Sequence, residues 1–228
     1  MTDGLLGDLE KTAVLQELFK TPHDLRDGGW TDEFLSNVVD ASFRDNPERQ
    51  VITGPDGMPY FVLLTPEPGV PFSCFVIRHM MPQFLLEEGW GVVINPATPN
   101  PDWVFKYGDL LNLELHGQFY KTDELWAPKV ESVEKLKASE NVLMGMPDGS
   151  ILPEFAFALL KRILSDFGLP PRIALMVRAG KMSLAFPYTP DMFEDPSHFQ
   201  RLMQIIDWIM PSQYCVLYMS DNEGFHDM

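Results

Sequence analysis

The residue types that most often bind metals are few and scattered in this chain. It holds five histidines, at His23, His79, His116, His198 and His226. None stands three or four residues from another histidine or a cysteine, the spacing that places two ligands on one face of a helix. The sequence therefore predicts no metal site.

The two cysteines give no sign of nucleophilic chemistry. Cys74 and Cys215 lie in apolar runs of the sequence. Cys74 and His79 fall on one predicted helix at a spacing that turns them about 140° apart, which argues against a pair of nucleophile and base. We interpret both cysteines as reduced core residues and expect no disulfide.

No glycine-rich phosphate loop and no other nucleotide-binding or hydrolase motif occurs in the sequence. The glycine pairs do not follow a strand and open a helix, as a phosphate cradle requires. We therefore expect no cofactor. The absence of catalytic motifs favours a protein that is not an enzyme, although it leaves that question open.

A proline-rich loop is the first feature that indicates binding. It runs from Asn95 to Trp103 and includes Pro99 and Pro101. Prolines hold a loop in one shape, and a large aromatic side chain suits a protein contact. The alternative is that Trp103 folds back onto the core.

The N-terminal segment is the second such feature. Apolar residues from Leu9 to Phe19 repeat with a period close to that of a helix, which predicts an amphipathic helix over residues 5–19. Such a helix caps the core of its own domain, or it contacts a second subunit and makes a homodimer. Leu9 and Phe19 are the candidate contact residues.

Composition limits the possible partners. The chain has 228 residues, is 45% hydrophobic and carries a formal net charge of −16. That charge repels phosphate backbones and anionic lipid, so we expect neither nucleic acid nor membrane as a partner.

No apolar run approaches the roughly 18 residues of a membrane span, and we expect a cytoplasmic protein. The 13 methionines suit an irregular core or an adaptable binding surface.

The predicted elements repeat. The order helix, strand, strand, helix, strand occurs over residues 31–96 and again over residues 151–221. The sequence thus predicts an α+β fold of two similar units with small mixed sheets and helices on one face, possibly joined as one pseudo-symmetric structure. The predicted organisation is an arm helix plus first unit at 1–120, a connecting segment at 121–150 and a second unit at 151–228.

Several local features of these units are predicted in detail. Thr31 or Asp32 is the expected N-cap of the first repeat helix, and Ser73 that of a crossover helix that Pro82 kinks or splits. In each unit the last strand is reached through a helix, so it should lie parallel to the strand before that helix if the two share a sheet.

One segment resembles a known family. The run Gly89-Trp90-Gly91-Val92-Val93-Ile94-Asn95-Pro96, with the helix around Tyr107-Gly108-Asp109-Leu110, resembles the enhanced serine sensitivity (SseB-like) proteins over about residues 89–113. The resemblance implies a two-domain α+β protein without an established catalytic site. The proline-rich loop and Trp103 depart from the family pattern, so no functional residue is carried over.

The leading hypothesis is a non-enzymatic cytoplasmic protein-interaction module, an adaptor or chaperone-like protein. A first alternative is an acidic immunity or inhibitor protein that neutralises a basic toxin or nuclease. A second is a small-molecule sensor or enzyme with a pocket in the cleft between the units.

Overall fold

The chain forms two compact units. The computed structural model describes residues 6–67, 69–96, 100–129 and 141–228. Contacts divide the chain between Leu110 and Leu111, whereas the sequence predicts a first unit that extends to residue 120. Each unit combines helices with a small mixed sheet, which confirms the predicted α+β class. The pseudo-symmetric joining of the units stays a prediction.

The first unit holds most of the helices. They are α1 (Leu9–Leu18), α2 (Gly28–Val38), α3 (Ile77–Met80), a π-helical turn (Met81–Leu85) and α4 (Leu86–Glu88), with a 3-10 turn at His23–Leu25. A further helix, α5 (Tyr107–His116), crosses the boundary between the units.

The sheet of the first unit has six strands in the described residues. They are β1 (Phe43–Asp45), β2 (Val51–Thr53), β3 (Pro59–Leu64), β4 (Cys74–Phe75), β5 (Gly91–Ile94) and β6 (Trp103–Phe105), in the order β4-β1-β3-β5-β6 with β2 also paired to β3. Strands β3 and β5 are parallel and every other described pair is antiparallel. The predicted crossover is therefore confirmed.

Helices cover one face of this sheet. Register places Phe61 opposite Val92, and Val92 opposite Phe105, so these three side chains share a face. The Phe61 ring lies 5.3 Å from Phe84 of the π-helical turn, and the Phe105 ring lies 6.1 Å from Phe34 of α2. The crossover helix and α2 thus pack on the same side, as predicted for the unit.

The predicted start of α2 was wrong by one turn. Asp27 is the N-cap, and its carboxylate accepts a hydrogen bond from the Trp30 amide at 2.8 Å. Thr31 lies inside the first turn, where its hydroxyl donates to the Asp27 carbonyl at 3.1 Å. The hydrogen bond to the Asp27 carboxylate stabilises the first turn of the helix. It offsets the low helix propensity of Gly28 and Gly29, so the helix begins one turn earlier than predicted.

The expected cap at Ser73 was also wrong. Cys74 and Phe75 form β4 against Arg44 and Phe43, and the helix begins two residues later at Ile77. Cys74 and His79 therefore lie on different elements rather than on one helix. The backbone hydrogen bonds of the sheet edge outweigh the local helix signal here.

Pro82 does split the crossover helix. It lies in the π-helical turn between α3 and α4, because proline has no N–H to donate and its ring disrupts regular helical bonding. Gly89 ends α4 with a φ of 77°, a left-handed conformation that glycine adopts without strain.

The second unit repeats the hairpin and crossover. Its helices are α6 (Glu154–Asp166) and α7 (Pro196–Ile209), with a 3-10 turn at Pro190–Met192, and its strands are β7 (Val142–Gly145), β8 (Arg172–Arg178), β9 (Lys181–Phe186), β10 (Val216–Tyr218) and β11 (His226–Asp227). The order is β10-β9-β8-β11, with β7 also on β8, and β9 and β10 are parallel. Strands β7 and β11 were not predicted from the sequence.

The two faces of the second sheet differ in their packing. On one face Tyr218 of β10 contacts Phe199 of α7, with the ring centres 5.5 Å apart. The other face is built from small and flexible side chains around Phe225. These are the buried Ala174, Met176 and Ala185 and the partly buried Val142, Met144, Leu217 and Met219. Methionine thus serves as core filler on this face, one of the two uses predicted for it.

An ionic cluster attaches α1 to the rest of the first unit. Asp40 forms ion pairs with Arg78 and with Lys11 of α1, the latter at 2.5 Å. The hydrogen bond from Arg78, reinforced by Lys11, lowers the pKa of Asp40 to about 2 against the opposing effect of burial. The Asp8 amide also donates to the Asp40 carbonyl at 2.8 Å, so α1 is tied by side chain and backbone alike.

Replacing Asp40 with Asn should lower the free energy of unfolding by about 1 kcal/mol at pH 7, a value reduced for solvent screening of the exposed Arg78. Because the folded pKa is depressed, the difference from wild type is present above the ordinary value of 3.8 and is lost as pH falls through about 2. Urea unfolding across this pH range measures it.

The matched control is Asp32→Asn, which removes an exposed carboxylate of α2. It should leave the free energy of unfolding nearly unchanged at every pH. A deficit in Asp40→Asn that persists undiminished at the lowest pH would contradict the ionic account.

Candidate protein-interaction site

The two predicted contact residues of the N-terminal helix lie in different environments. Leu9 is 75% exposed. The Phe19 ring lies 5.9 Å from the ring of Phe34 in α2. Helix α1 thus contributes to the core of its own unit and also leaves an apolar side chain in solvent. Its role in a homodimer stays a prediction.

The predicted loop begins where two parallel strands end. Thr65 follows β3 and Asn95 follows β5, so both lie at the carboxyl edge of the sheet. The Thr65 amide donates to Asn95 Oδ1 at 2.9 Å, and Asn95 Nδ2 donates to Thr65 Oγ1 at 2.7 Å. The register of the parallel pair therefore positions the first residue of the loop.

The loop is closed by a second set of bonds from Asn95. Its Nδ2 also donates to Asp102 Oδ2 at 2.8 Å, and the Asp102 amide donates to the Ile94 carbonyl at 3.0 Å. Asn95 has a φ of 46°, a left-handed conformation that asparagine tolerates better than most residues. Pro101 is partly buried, and Pro99 lies outside the described residues.

Arg26 anchors the far end of the loop. Its Nη2 donates to Asp102 Oδ1 at 2.6 Å and its Nη1 to the Asp102 carbonyl at 2.9 Å. The guanidinium also lies over the Trp30 ring, 4.5 Å from the ring centre. Only 8% of the Arg26 side chain is exposed, so this pair is shielded from water far more than a surface ion pair.

We call Arg26, Thr65, Asn95 and Asp102 the loop network. Both carboxylate oxygens of Asp102 already accept hydrogen bonds within it. His23 approaches at 3.7 Å from Asp102 and is 46% exposed. The network holds a loop in place through bonds among its own members, which is the arrangement of a rigid support rather than of a group poised to transfer a proton.

Trp103 follows Asp102 of this network and lies in an aromatic cluster. Its ring centre is 4.7 Å from Phe34, 5.9 Å from Trp30 and 6.1 Å from Phe105. Its indole Nε1 is buried and has no hydrogen-bond partner among the residues that the structure describes. Trp103 is partly buried and packs against α2 through Trp30 and Phe34, and its part in a protein contact stays a prediction.

A second group of aromatic residues forms a surface that sequence analysis missed. Phe75, Phe84 and Trp90 are each partly exposed around Phe61, which is 4% exposed. Ring centres lie 5.6 Å apart for Phe61 and Phe75, 5.3 Å for Phe61 and Phe84, and 6.0 Å for Phe84 and Trp90. We call these four residues the aromatic surface.

Two further exposed apolar residues precede Phe75 of the aromatic surface in the sequence. Val70 is 50% exposed and Phe72 is 40% exposed, and both precede β4. The four rings come from β3, β4, the π-helical turn and the residue before β5, so the fold rather than sequence spacing brings them together. A sequence signal existed in the density of aromatic residues between 61 and 90, but spacing alone did not assign them to one face.

A shallow cleft lies within the second unit. It has a volume of about 400 Å³ and is lined by Lys121, Trp126, Lys129 and Gln213, among others. Lys129 pairs with Asp207 at 2.7 Å, so its charge is already balanced. This cleft is open to solvent and internal to one unit, which differs from the enclosed shape of most small-molecule sites.

The remaining candidates for chemistry are dispersed. Among the described residues no three His, Cys, Asp or Glu side chains come together as a metal site, and both Cys74 and Cys215 are free thiols. Across the same residues, no helix combines the length and apolar character needed to cross a bilayer.

Comparisons with known proteins add no relative. No family model, no curated protein and no solved structure matches the chain. The resemblance to the SseB-like proteins over residues 89–113 therefore stays a prediction. Any proposal about function depends on the geometry of the chain itself.

Replacing Asp102 with Ala should lower the free energy of unfolding by about 2 to 3 kcal/mol, because it removes the carboxylate that pairs with the largely buried Arg26 and accepts a hydrogen bond from the Asn95 side chain. Asp24→Ala, at an exposed carboxylate of the neighbouring turn, is the control and should change stability little. Urea denaturation measures both. A loss of less than about 0.5 kcal/mol in Asp102→Ala would mean that the network does not support the fold.

Proposed function

We propose that this chain is a non-enzymatic protein-interaction module that binds its partner through the aromatic surface of the first unit. The observation that carries the proposal is the set of partly exposed rings of Phe75, Phe84 and Trp90 around Phe61. Aromatic side chains are enriched at protein interfaces because they bury a large area at a small entropy cost.

The elements that carry the aromatic surface support this role. Phe61 is in a strand paired on both sides, and Phe84 lies in a helix that packs on the same face. Rings held on paired strands and packed helices lose little further freedom on binding, which favours affinity. The loop network adds rigidity at the carboxyl edge of the same sheet.

The polar groups of the first unit support binding over catalysis. The loop network bonds to itself, with both Asp102 oxygens and the buried Arg26 engaged. General acid–base chemistry needs a group within reach of a substrate proton, and these groups are committed to holding the loop.

Charge predicts the kind of partner. With a net charge of −16, the chain attracts cationic proteins and repels anionic ones over a Debye length. The proposal therefore includes a partner with a basic contact surface. It also includes a cytoplasmic location, which the free thiols of Cys74 and Cys215 support.

The acidic inhibitor of a basic toxin or nuclease is the second candidate, favoured by the same charge. Many described carboxylates instead serve local structure, such as the N-caps Asp8, Asp27 and Asp195 and the ion-paired Asp40. Dispersed carboxylates give a general field rather than one acidic binding face. An inhibitor of this type should lose affinity steeply with salt, whereas aromatic contacts should resist it.

The test is photo-crosslinking with a photoreactive phenylalanine analogue at position 84. The aromatic ring is retained, so the variant should fold, and crosslinking in native lysate should yield a discrete adduct at moderate salt. The matched control carries the analogue at Phe193, a partly buried ring of the second unit that lies 5.5 Å from Phe199.

Adduct formation at position 84 and its absence at position 193 would support the aromatic surface. Phe84→Ser should then reduce capture of the same partner by at least about tenfold, in line with loss of an interface anchor. Equal adducts at both positions, or capture unchanged by Phe84→Ser, would count against it.

A further inference from the structure

Strand β7 is an unusual edge. It lies at the margin of the second sheet, and in the described residues β8 is its only strand partner. Leu143 is 72% exposed and the adjoining Met146 is 42% exposed. Apolar side chains at a sheet edge invite pairing with another strand.

The side chains of this short strand also include none that usually discourage such pairing. Natural edge strands carry charged residues, proline or a bulge that discourages a second strand. Residues 142–146 are Val, Leu, Met, Gly and Met, without a charge or a proline, in a chain that is 22% charged. No charged side chain within this stretch opposes the approach of a second acidic chain.

Hydrogen-bond directions in the sheet show which groups β7 offers. The Met182 amide donates to the Leu125 carbonyl and the Met182 carbonyl accepts from Ala127, so Met182 bonds away from β8. Its opposite residue Val177 then directs its own groups toward β7, where it faces Leu143. Along an antiparallel strand, every second residue directs its N–H and C=O groups toward the same neighbour. Leu143 and Gly145 therefore hydrogen-bond to β8.

The intervening residues therefore point outward. The N–H and C=O groups of Val142 and Met144 lie along the open edge, and they have no hydrogen-bond partner in the part of the chain that the structure describes. By the same alternation, the backbone groups of Met146 point to this open edge as well. These groups are a free antiparallel ladder.

We propose that two copies of this chain associate by antiparallel pairing of their β7 strands about a two-fold axis at Met144. This inference is independent of the proposed aromatic surface. Met144 then pairs with Met144 of the second copy, and Val142 with Met146, for about six backbone hydrogen bonds. Leu143 lies opposite Gly145 of the second copy.

Side chains match across this register. Directly opposite residues share a face, so Val142, Met144 and Met146 of both copies line the face that already carries Met176 and Met219. On the other face, the exposed Leu143 covers the backbone at Gly145, where a Cβ would meet nothing within 4 Å. The contact is thus apolar on both sides of the joined sheet.

Charge gives the dimer a distinctive salt response. Two chains of −16 repel each other, and added salt screens that repulsion, so self-association should strengthen with salt. Antiparallel pairing also brings the exposed Asp148 of one copy to the end of the interface where the partly buried Arg178 of the other lies, which adds a small favourable contribution.

The experiment uses paired charge substitutions on the full chain, with sedimentation velocity over a concentration series at low and moderate salt. Leu143→Lys with Gly145→Lys places like charges directly opposite each other in this register and should lower the association constant about tenfold. Leu143→Lys with Gly145→Glu places opposite charges there and should restore it. Both sites are open in the single chain, and circular dichroism verifies that both variants fold.

Self-association of wild type that rises with salt, falls in the Lys/Lys variant and recovers in the Lys/Glu variant supports the inference. A wild type that is monomeric throughout overturns it. Association that is equal in both variants also overturns it, and loss of that association on deleting residues 1–20 would assign it to the N-terminal helix.

Discussion

The parallel pairing of β3 with β5 is the constraint on which the rest of the first unit depends. It requires a crossover helix, and that helix covers the face that carries Phe61 and Val92. The same pairing sets Thr65 beside Asn95 at the carboxyl edge, where their side chains exchange hydrogen bonds. The loop network and the aromatic surface are thus two consequences of one strand register, at the edge and on the face of one sheet.

Much of the fold could be predicted from local pattern. The hairpin of Val51–Thr53 with residues up to Leu64, the helix at residues 154–166 and the two parallel crossovers follow from hydrophobic period, turn residues and the handedness of connections. These signals succeed because each one is contained within a few neighbouring residues. The start of α2 shows where such local signals fail. Gly28 and Gly29 have low helix propensity, but the Asp27 N-cap lets them form the first turn of the helix.

The loop network was harder to predict because its members are distant in sequence. The partners of Asn95 include Thr65, and Arg26 reaches Asp102 across a separation of 76 residues. Spacing identified the loop but left open whether Trp103 faces solvent or the core, whereas the structure shows a partly buried ring packed against Phe34. Strand β4 was missed for the same reason, since its pairing with β1 is a long-range contact that competes with a local helix signal.

The central claim is that the aromatic surface binds a protein. Amide hydrogen exchange of the chain, alone and with its purified crosslinked partner, tests this most directly because it reports every backbone segment at once. The account predicts slower exchange at β4, the π-helical turn and the residues near Trp90 in the complex, with little change at α6 and β8. Slower exchange confined to the second unit, with Phe75 to Trp90 unaffected, would contradict it.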